Sequence, residues 1–225
     1  MSFNALILGA TGLCGSAFLK YAVAEPAFSS ITTVTRHELQ EFKTEKVKSI
    51  VVKDSATWAE QLPENANIMF SGLATTRGEA GSKENFYKLD HNLNLELAKK
   101  AKSQGCKTYV LVSSVGADVN SRFFYLKTKG EIENDIIALD FDKTIILRPG
   151  PLLGQRHKGK GFFNAAVAKI GAAFYDTSLQ GLLSTPVYGD EVGKVGVALA
   201  LDSSRTDKVQ VVESSEILKL AKGLK

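Results

Sequence analysis

The sequence predicts an α/β protein organised around one doubly wound parallel β-sheet. Segments typical of strands and segments typical of helices alternate along all 225 residues. Most of the strand-like segments are short, nearly continuous apolar runs, as expected of strands that helices cover on both faces. No internal repeat or low-complexity segment interrupts the alternation. We therefore expect a single domain with helices on both sides of the sheet.

The predicted elements follow the changes in apolar pattern along the chain. The predicted strands are 5–8, 31–35, 47–52, 68–70, 108–112, 144–147 and 209–212. The predicted helices are 13–24, 85–103, 123–139, 162–174, 190–201 and 214–220. The segment 149–190 has a looser pattern, rich in Gly, Pro and basic residues near its start. We interpret it as substrate-side loops and a helix that lie over the carboxyl edge of the sheet, where such folds bind ligands.

Composition, charge and cysteine spacing argue against nucleic-acid binding, disulfide bonds and a cysteine metal site. The chain is 44% hydrophobic and 23% charged, which is ordinary for a globular protein. Its 28 basic and 24 acidic residues give a net charge of +4, too mild and evenly spread to predict nucleic-acid binding. Cys14 and Cys106 have no disulfide or metal-ligand spacing and fit a reducing compartment. The sequence predicts no signal peptide and contains no apolar run of about 18 residues, so any membrane association is expected to be peripheral or through a partner.

The first predicted strand runs directly into a glycine-rich turn. Gly9, Gly12 and Gly15 follow one another at intervals of three residues, and a predicted helix continues from them. Such a turn directs backbone N–H groups at an anion and needs residues without side chains at the point of approach. The usual dinucleotide fingerprint, G-x-G-x-x-G, has a first gap one residue shorter. The context predicts a Rossmann-like dinucleotide site; a strand–turn–helix junction without a ligand is the alternative.

The ends of the second and third predicted strands indicate which dinucleotide binds. Arg36 and His37 stand where an acidic residue would hydrogen-bond the ribose 2′-OH of NAD. An arginine can pair with a 2′-phosphate through two donors, which predicts NADP(H), although a plain surface arginine is the alternative. Asp54 follows the third strand. Its carboxylate would either accept a hydrogen bond from the adenine amino group or cap the next helix.

A second group of polar residues follows the fifth predicted strand. Tyr125 and Lys129 are four residues apart on a predicted helix, so they share one face of it. Reduction of a carbonyl by hydride transfer needs a proton donor at the oxygen, and a nearby cation lowers the pKa of a tyrosine from about 10. Ser114 would hold the substrate oxygen, with Ser113 as the alternative. We predict Ser114, Tyr125 and Lys129 to be catalytic; a solvated lysine beside a half-buried tyrosine is the competing interpretation.

Seven segments together carry a resemblance to a known family. They are LGATGLCG, GLATTRGEAG, DHNLNLELAKKAK, CKTYVLVSSVGAD, FFYLKTKGEIE, ILRPGPLLGQR and PVYGDEVGKVGV. The chain resembles atypical short-chain dehydrogenase/reductases of the Tat-interacting-protein (CC3) group and its fungal relatives, the found-in-mitochondrial-proteome proteins. The resemblance covers nearly the whole chain. It implies an NADP(H)-binding Rossmann domain and, for the fungal members, a peripheral place on the cytosolic side of the mitochondrial outer membrane.

The resemblance also implies a set of cofactor-binding residues. They are Gly9, Thr11, Gly12, Leu13, Cys14, Gly15, Arg36, His37, Asp54, Leu73, Ala74, Tyr125, Lys129, Leu152 and Arg156. Arg36 would take the 2′-phosphate, and Leu152 and Arg156 would close over the nicotinamide. Leu73 and Ala74, after the fourth strand, would pass beneath the ribose and the nicotinamide. Two positions depart from the pattern of the family. His37 replaces a second arginine, and Leu13 replaces a polar residue that would contact the phosphates.

Two functions of different kinds remain open. One is an NADPH-dependent reductase of an unidentified small-molecule carbonyl substrate, which depends on Ser114, Tyr125 and Lys129. The other is an NADP(H)-binding regulatory or scaffold protein with little or no turnover, whose output is contact with a protein partner. A tyrosine and a lysine at this spacing could also serve only to hold a ribose. Neither the substrate nor the oligomeric state follows from the fold.

Overall fold

A computed structural model describes residues 2–42, 44–154 and 185–224 of the chain. Its strands are β1 (Phe3–Leu8), β2 (Phe28–Thr35), β3 (Val47–Val51), β4 (Ile68–Ser71), β5 (Thr108–Val112), β6 (Lys143–Arg148), β7 (Leu152–Leu153), β8 (Val187–Tyr188) and β9 (Val209–Glu213). Its α-helices are α1 (Leu13–Ala24), α2 (Arg77–Ala80), α3 (Lys83–Tyr87), α4 (Leu93–Ser103), α5 (Phe124–Ala138), α6 (Gly189–Leu201) and α7 (Ser214–Gly223). A 3-10 helix (Ser55–Gln61) follows β3, and a π-helical turn (Lys88–Asn92) joins α3 to α4.

Seven of these strands form one sheet in the order β3-β2-β1-β4-β5-β6-β9. Every neighbouring pair is parallel, so all the carboxyl ends lie at the same edge. The chain builds one half of the sheet outward from β1 and the other half outward from β4. The carboxyl ends of β1 and β4 therefore form the switch point at which such sheets bind ligands. The predicted α/β fold, a Rossmann-like doubly wound parallel sheet, is confirmed.

Two hydrophobic clusters, one on each face of the sheet, explain the continuous apolar strands. Along β1, Ala5 and Ile7 belong to one cluster, whereas Leu6 and Leu8 belong to the other. Successive strand side chains point to opposite faces, so a strand covered on both faces must be apolar at every position. Helices α1, α6 and α7 contribute to the first cluster, and α4 and α5 contribute to the second.

The helix predicted over 85–103 is interrupted. The chain is helical from Lys83 to Ser103, so the predicted helix is confirmed, but it contains a π-helical turn before α4 that the pattern did not predict. Asp90 and His91 lie in this wider turn and are buried. The 3-10 helix after β3 is absent from the predicted helices, although the capping alternative for Asp54 presupposed a helix there. The π-helical turn and the 3-10 helix are both short, so they hardly change the apolar pattern from which helices were predicted.

The predicted excursion over 149–190 is described only at its two ends. There β7 and β8 pair in parallel, with Leu152 opposite Val187. The backbone N–H of Gly150 donates to the hydroxyl of Ser214 (2.8 Å), which donates to the carbonyl of Thr185 (2.6 Å). These contacts hold the two ends side by side. The predicted helix over 162–174 lies outside the described residues.

Candidate active site

The glycine turn joins β1 to α1 by close approach of backbone to backbone. Gly9 has a φ of +72°, in the left-handed region that favours glycine. A Cβ at Gly9 would lie 2.5 Å from the carbonyl oxygen of Gly72, just beyond the end of β4. A Cβ at Gly15 would overlap the carbonyl of Gly9. The packing of the protein's own backbone at the switch point therefore requires both Gly9 and Gly15.

Gly12 is different. A Cβ placed there would meet only the carbonyl oxygen of Gly9, at 3.3 Å, among the residues that the structure describes. Gly12 is the N-cap of α1, without a side-chain cap or an acidic residue in the first turn. The helix start thus carries a partial positive charge, and its first backbone N–H groups have no partner inside the helix. This arrangement fits a phosphate group, whose approach a side chain at Gly12 would obstruct.

The other residues of the turn contribute unequally. Thr11 is exposed, whereas Cys14 is buried and belongs to the core. The side chain of Leu13 lies beside Gly154 and Gly189, because a Cβ added to either glycine would come within 3.0 Å of it. Leu13 therefore packs against the two described ends of the excursion, and its contact with a nucleotide stays a prediction.

The residues predicted for the 2′-phosphate and the adenine lie at the ends of β2 and β3. Arg36 and His37 follow β2 and are both exposed. Asp54 caps the 3-10 helix, because its Oδ1 accepts a hydrogen bond from the Ala56 N–H at 3.0 Å. The capping alternative is thus confirmed for Asp54, and its contact with adenine stays a prediction. The contact of Arg36 with a 2′-phosphate also stays a prediction.

A cleft of about 330 Å³ lies at the carboxyl ends of β5 and β6. It is lined by Ser113, Ser114, Val115, Tyr125, Pro149, Gly150, Pro151 and Leu152. The structure thus brings the predicted residues Ser114, Tyr125 and Leu152 to one cleft. Tyr125 is 41% exposed, and its ring packs against Phe86, with 5.8 Å between the ring centroids. Arg156, predicted beside Leu152, lies outside the described residues.

Lys129 lies one turn further along α5 than Tyr125 and is buried. Its Nζ donates a hydrogen bond to Oδ1 of Asp90 at 2.8 Å. Burial by itself would lower the pKa of Lys129, but the Asp90 carboxylate, with Tyr125 and Glu133 nearby, raises it above its ordinary value. Lys129 is therefore a buried, charged ammonium, and the interpretation as a solvated lysine was wrong.

Sequence reasoning missed two polar residues of this region, Asp90 and Asn94. Asp90 also accepts a hydrogen bond from the backbone N–H of Thr75 (2.8 Å), and Asn94 donates to the carbonyl of Leu73 (3.1 Å). Together they hold the loop after β4, which contains the predicted cofactor residues Leu73 and Ala74. Their spacing of four, which puts both on one face of a helix, was the available signal.

Neither a membrane helix nor a metal site is found in the described part of the chain. No helix within residues 2–42, 44–154 and 185–224 combines the length and the apolar character needed to cross a membrane. In the same ranges, no group of three or more His, Cys, Asp or Glu side chains could hold a metal ion. Both cysteines are buried and unbridged.

The glycine turn at the switch point and the neighbouring serine–tyrosine cleft are built on the fold of the short-chain dehydrogenase/reductases. A UDP-N-acetylglucosamine 4-epimerase from Methanobrevibacter ruminantium has a TM-score of 0.71 at 16% identity, covering 98% of this chain and 80% of that one. A short chain dehydrogenase family protein from Francisella tularensis has a TM-score of 0.67 at 13% identity, covering 97% and 100%. The enzyme WbmG from Bordetella bronchiseptica, solved in complex with NAD, has a TM-score of 0.68 at 14% identity, covering 99% and 77%.

The chain belongs to the HIM1 family, whose model matches residues 39–176. It is 59% identical to "Protein FMP52, mitochondrial" of Kluyveromyces lactis, over 97% of this chain and 98% of that protein. The protein of the same name from Saccharomyces cerevisiae is 52% identical, over 98% of this chain and 97% of its own length. The resemblance to this fungal group, drawn from seven sequence segments, is confirmed.

Proposed function

We propose that this protein binds NADP(H) and reduces a small or lipid-like carbonyl compound. The observation that carries the proposal is the position of Tyr125. Its ring reaches the cleft that Ser114 also lines, and it stands one helical turn from the buried, charged Lys129. Such a group of side chains can hold a carbonyl oxygen and deliver a proton to it.

The cofactor part of the proposal rests on the glycine turn. Gly12 leaves room for a phosphate at the start of α1, and Leu73 and Ala74 follow β4 beside it. A bound nicotinamide would supply the hydride. Among proteins of this fold, WbmG is one that was solved with NAD. Arg36 would select NADP(H) over NAD(H), because a guanidinium can pair with the 2′-phosphate through two donors.

The reaction would use three side chains of this chain. Ser114 would donate a hydrogen bond to the carbonyl oxygen of the substrate and hold it near Tyr125. The Tyr125 hydroxyl would transfer its proton to that oxygen, and the ammonium of Lys129 would stabilise the phenolate left behind. A general acid in this position contributes roughly 10²–10⁴-fold to a rate.

We propose that the protein is peripheral on the cytosolic side of the mitochondrial outer membrane, as its resemblance to the fungal group implies. The relatives from Kluyveromyces lactis and Saccharomyces cerevisiae are named as mitochondrial. Fractionation of mitochondria, followed by protease treatment of the intact organelles, tests this assignment. A protein that is degraded without rupture of the outer membrane, and that alkaline carbonate releases, fits it. A protein protected until the membrane is ruptured contradicts it.

The decisive experiment compares Tyr125→Phe with the unmodified protein, using NADPH and a panel of aldehydes and ketones. The change removes one oxygen from a partly exposed ring, so stability should be nearly unchanged. Turnover on the best substrate should fall by about 10²–10⁴-fold, with a modest loss of NADPH affinity. Tyr21→Phe is the matched control: it also removes one hydroxyl, but from a side chain bonded to Asp190 on the surface. Undiminished turnover of Tyr125→Phe would contradict a catalytic role.

The same assay distinguishes the regulatory alternative. Tyr125 and Lys129 could hold the ribose of a nucleotide without doing chemistry. Tight NADPH binding by the unmodified protein, together with no turnover on any carbonyl of the panel, would favour a nucleotide-dependent regulatory or scaffold protein. A protein partner should then be retained only in the presence, or only in the absence, of NADPH.

A further inference from the structure

Asp90 is a buried carboxylate that takes no part in the proposed reaction steps. It is 1% exposed and lies in the π-helical turn Lys88–Asn92. Its Oδ1 accepts a hydrogen bond from Nζ of Lys129, and its Oδ2 accepts one from the backbone N–H of Thr75, both at 2.8 Å. One carboxylate thereby joins the helix that carries Tyr125 to the loop after β4.

We infer that Asp90 is a positioning residue for Lys129, which fixes the lysine ammonium relative to the loop of residues 72–76. This inference rests on the proposed function, because it gives Asp90 a role at the proposed nucleotide site. The loop contains Leu73 and Ala74, which are predicted to pass beneath the nucleotide. Asp90 thus sets the distance between this loop, on which the nucleotide would lie, and the ammonium of Lys129 beside Tyr125.

The charges around Lys129 single out Asp90. Three titratable groups influence the lysine: Asp90 from the π-helical turn, and Tyr125 and Glu133 from α5 itself. Glu133 is engaged elsewhere, because its carboxylate pairs with Arg148 at 2.5 Å. Asp90 is therefore the carboxylate that balances the charge of Lys129. The side chain of Asp90 is 0% exposed and that of Lys129 is 4% exposed, so water solvates neither charge appreciably.

The ion pair also leaves further N–H donors of the lysine without an acceptor among the described residues. An ammonium has three N–H donors. Asp90 takes one, and no further acceptor for Nζ is recorded among the described residues. The second oxygen of Asp90 is bound to Thr75, so the carboxylate is held at two points and its direction is fixed. π-Helical turns occur frequently at functional sites, and this one places the carboxylate between the loop and the lysine.

The test removes the charge of Asp90 while keeping its shape. In Asp90→Asn, the amide oxygen can still accept the Thr75 N–H, but Lys129 loses its counter-charge. The titration of the Lys129 ammonium, followed by NMR of isotope-labelled lysine, should move to lower pH by at least about one unit. The pH above which NADPH binding weakens, followed by nucleotide fluorescence, should move down with it. Asp135→Asn is the control, because that carboxylate pairs with His91 and is 47% exposed on its side chain.

An unchanged Lys129 titration and an unchanged pH profile of NADPH binding in Asp90→Asn would overturn the inference. If that variant does not fold, Lys129→Met is compared with the double variant Asp90→Asn/Lys129→Met, which leaves no unpaired charge between the two positions. Positioning through Lys129 requires that the two bind NADPH equally, within about twofold. A further loss of affinity in the double variant would contradict it.

These measurements separate the inference from the proposed function. Neither the lysine titration nor NADPH binding requires turnover, so an inactive protein that binds NADPH would contradict the reductase and still test Asp90. If the unmodified protein does not bind NADPH, the proposed function fails. The Lys129 titration in Asp90→Asn then decides by itself whether Asp90 controls the lysine.

Discussion

Ser113 and Ser114 are neighbours in the chain, but their hydroxyl groups have different partners. Ser113 donates to the buried carboxylate of Glu133, which also binds Arg148. The hydroxyl of Ser114 is 3.3 Å from the carbonyl oxygen of Val115, a long distance for such a bond. Both residues line the cleft. Because the proton of Ser113 is directed at Glu133, Ser114 stays the predicted partner of a substrate oxygen.

This difference predicts that alanine at Ser114 lowers turnover, whereas alanine at Ser113 lowers stability. Ser114→Ala should reduce turnover by about 10²-fold, as loss of a single donor to a reacting oxygen does, and should leave stability nearly unchanged. Ser113→Ala should reduce the free energy of unfolding by roughly 1–3 kcal/mol, because Glu133 loses a buried partner. Steady-state kinetics and urea unfolding of both variants check this. The assignment is wrong if Ser113→Ala alone abolishes turnover without loss of stability.

The glycines of the turn should respond differently to substitution. Gly12→Val should fold and lose binding of both NADPH and NADH, because its side chain would occupy the space proposed for the phosphates. Gly15→Ala should instead disrupt the fold, since its Cβ would overlap the carbonyl of Gly9. Circular dichroism and nucleotide titration of each variant distinguish the two effects. Normal NADPH binding by Gly12→Val would mean that the turn has only a structural role.

Arg36 should determine the choice between the two nucleotides. One charge-assisted contact with the 2′-phosphate is worth roughly 1.5–3 kcal/mol, so NADPH should bind about tenfold to a hundredfold more tightly than NADH. Arg36→Ala should remove most of this preference and spare NADH. Lys48→Ala, which removes an exposed cation from β3, is the matched control. Equal titration curves for NADPH and NADH with the unmodified protein would exclude the assignment.

Ionisation of the Cys106 thiol in the unfolded chain should lower the free energy of unfolding at alkaline pH. Burial raises the pKa of its thiol from an ordinary value of 9.0 to about 12. The unfolded chain therefore loses this proton first, and the free energy of unfolding should fall by about 1.4 kcal/mol per pH unit between these values. Urea unfolding at about pH 8 and about pH 10 measures the effect. Cys106→Ala should show a smaller fall, and an equal fall in both proteins would contradict the prediction.

The fold could be predicted because its signals are local. A strand covered on both faces is apolar at every position, so runs such as the one in β1 indicate a parallel sheet without knowledge of any partner. Glycines at a strand end indicate close backbone approach, and Gly9 and Gly15 make that approach. In any α-helix, residues four apart lie on the same face, so the shared face of Tyr125 and Lys129 was predictable from their spacing alone.

Only the tertiary structure decided which polar groups meet. Asp90 and Lys129 are 39 residues apart, and a π-helical turn that leaves the apolar pattern almost unchanged brings them together. Likewise, the direction of the Ser113 hydroxyl depends on Glu133, 20 residues further along the chain. The apolar periodicity of a sequence indicates which face of a helix or strand is buried, but not which charged side chain of another element lies opposite that face. The sequence by itself therefore determined the sheet, the glycine turn and the Tyr–Lys face, whereas packing between distant elements determined the ion pair of Lys129 and the partner of Ser113.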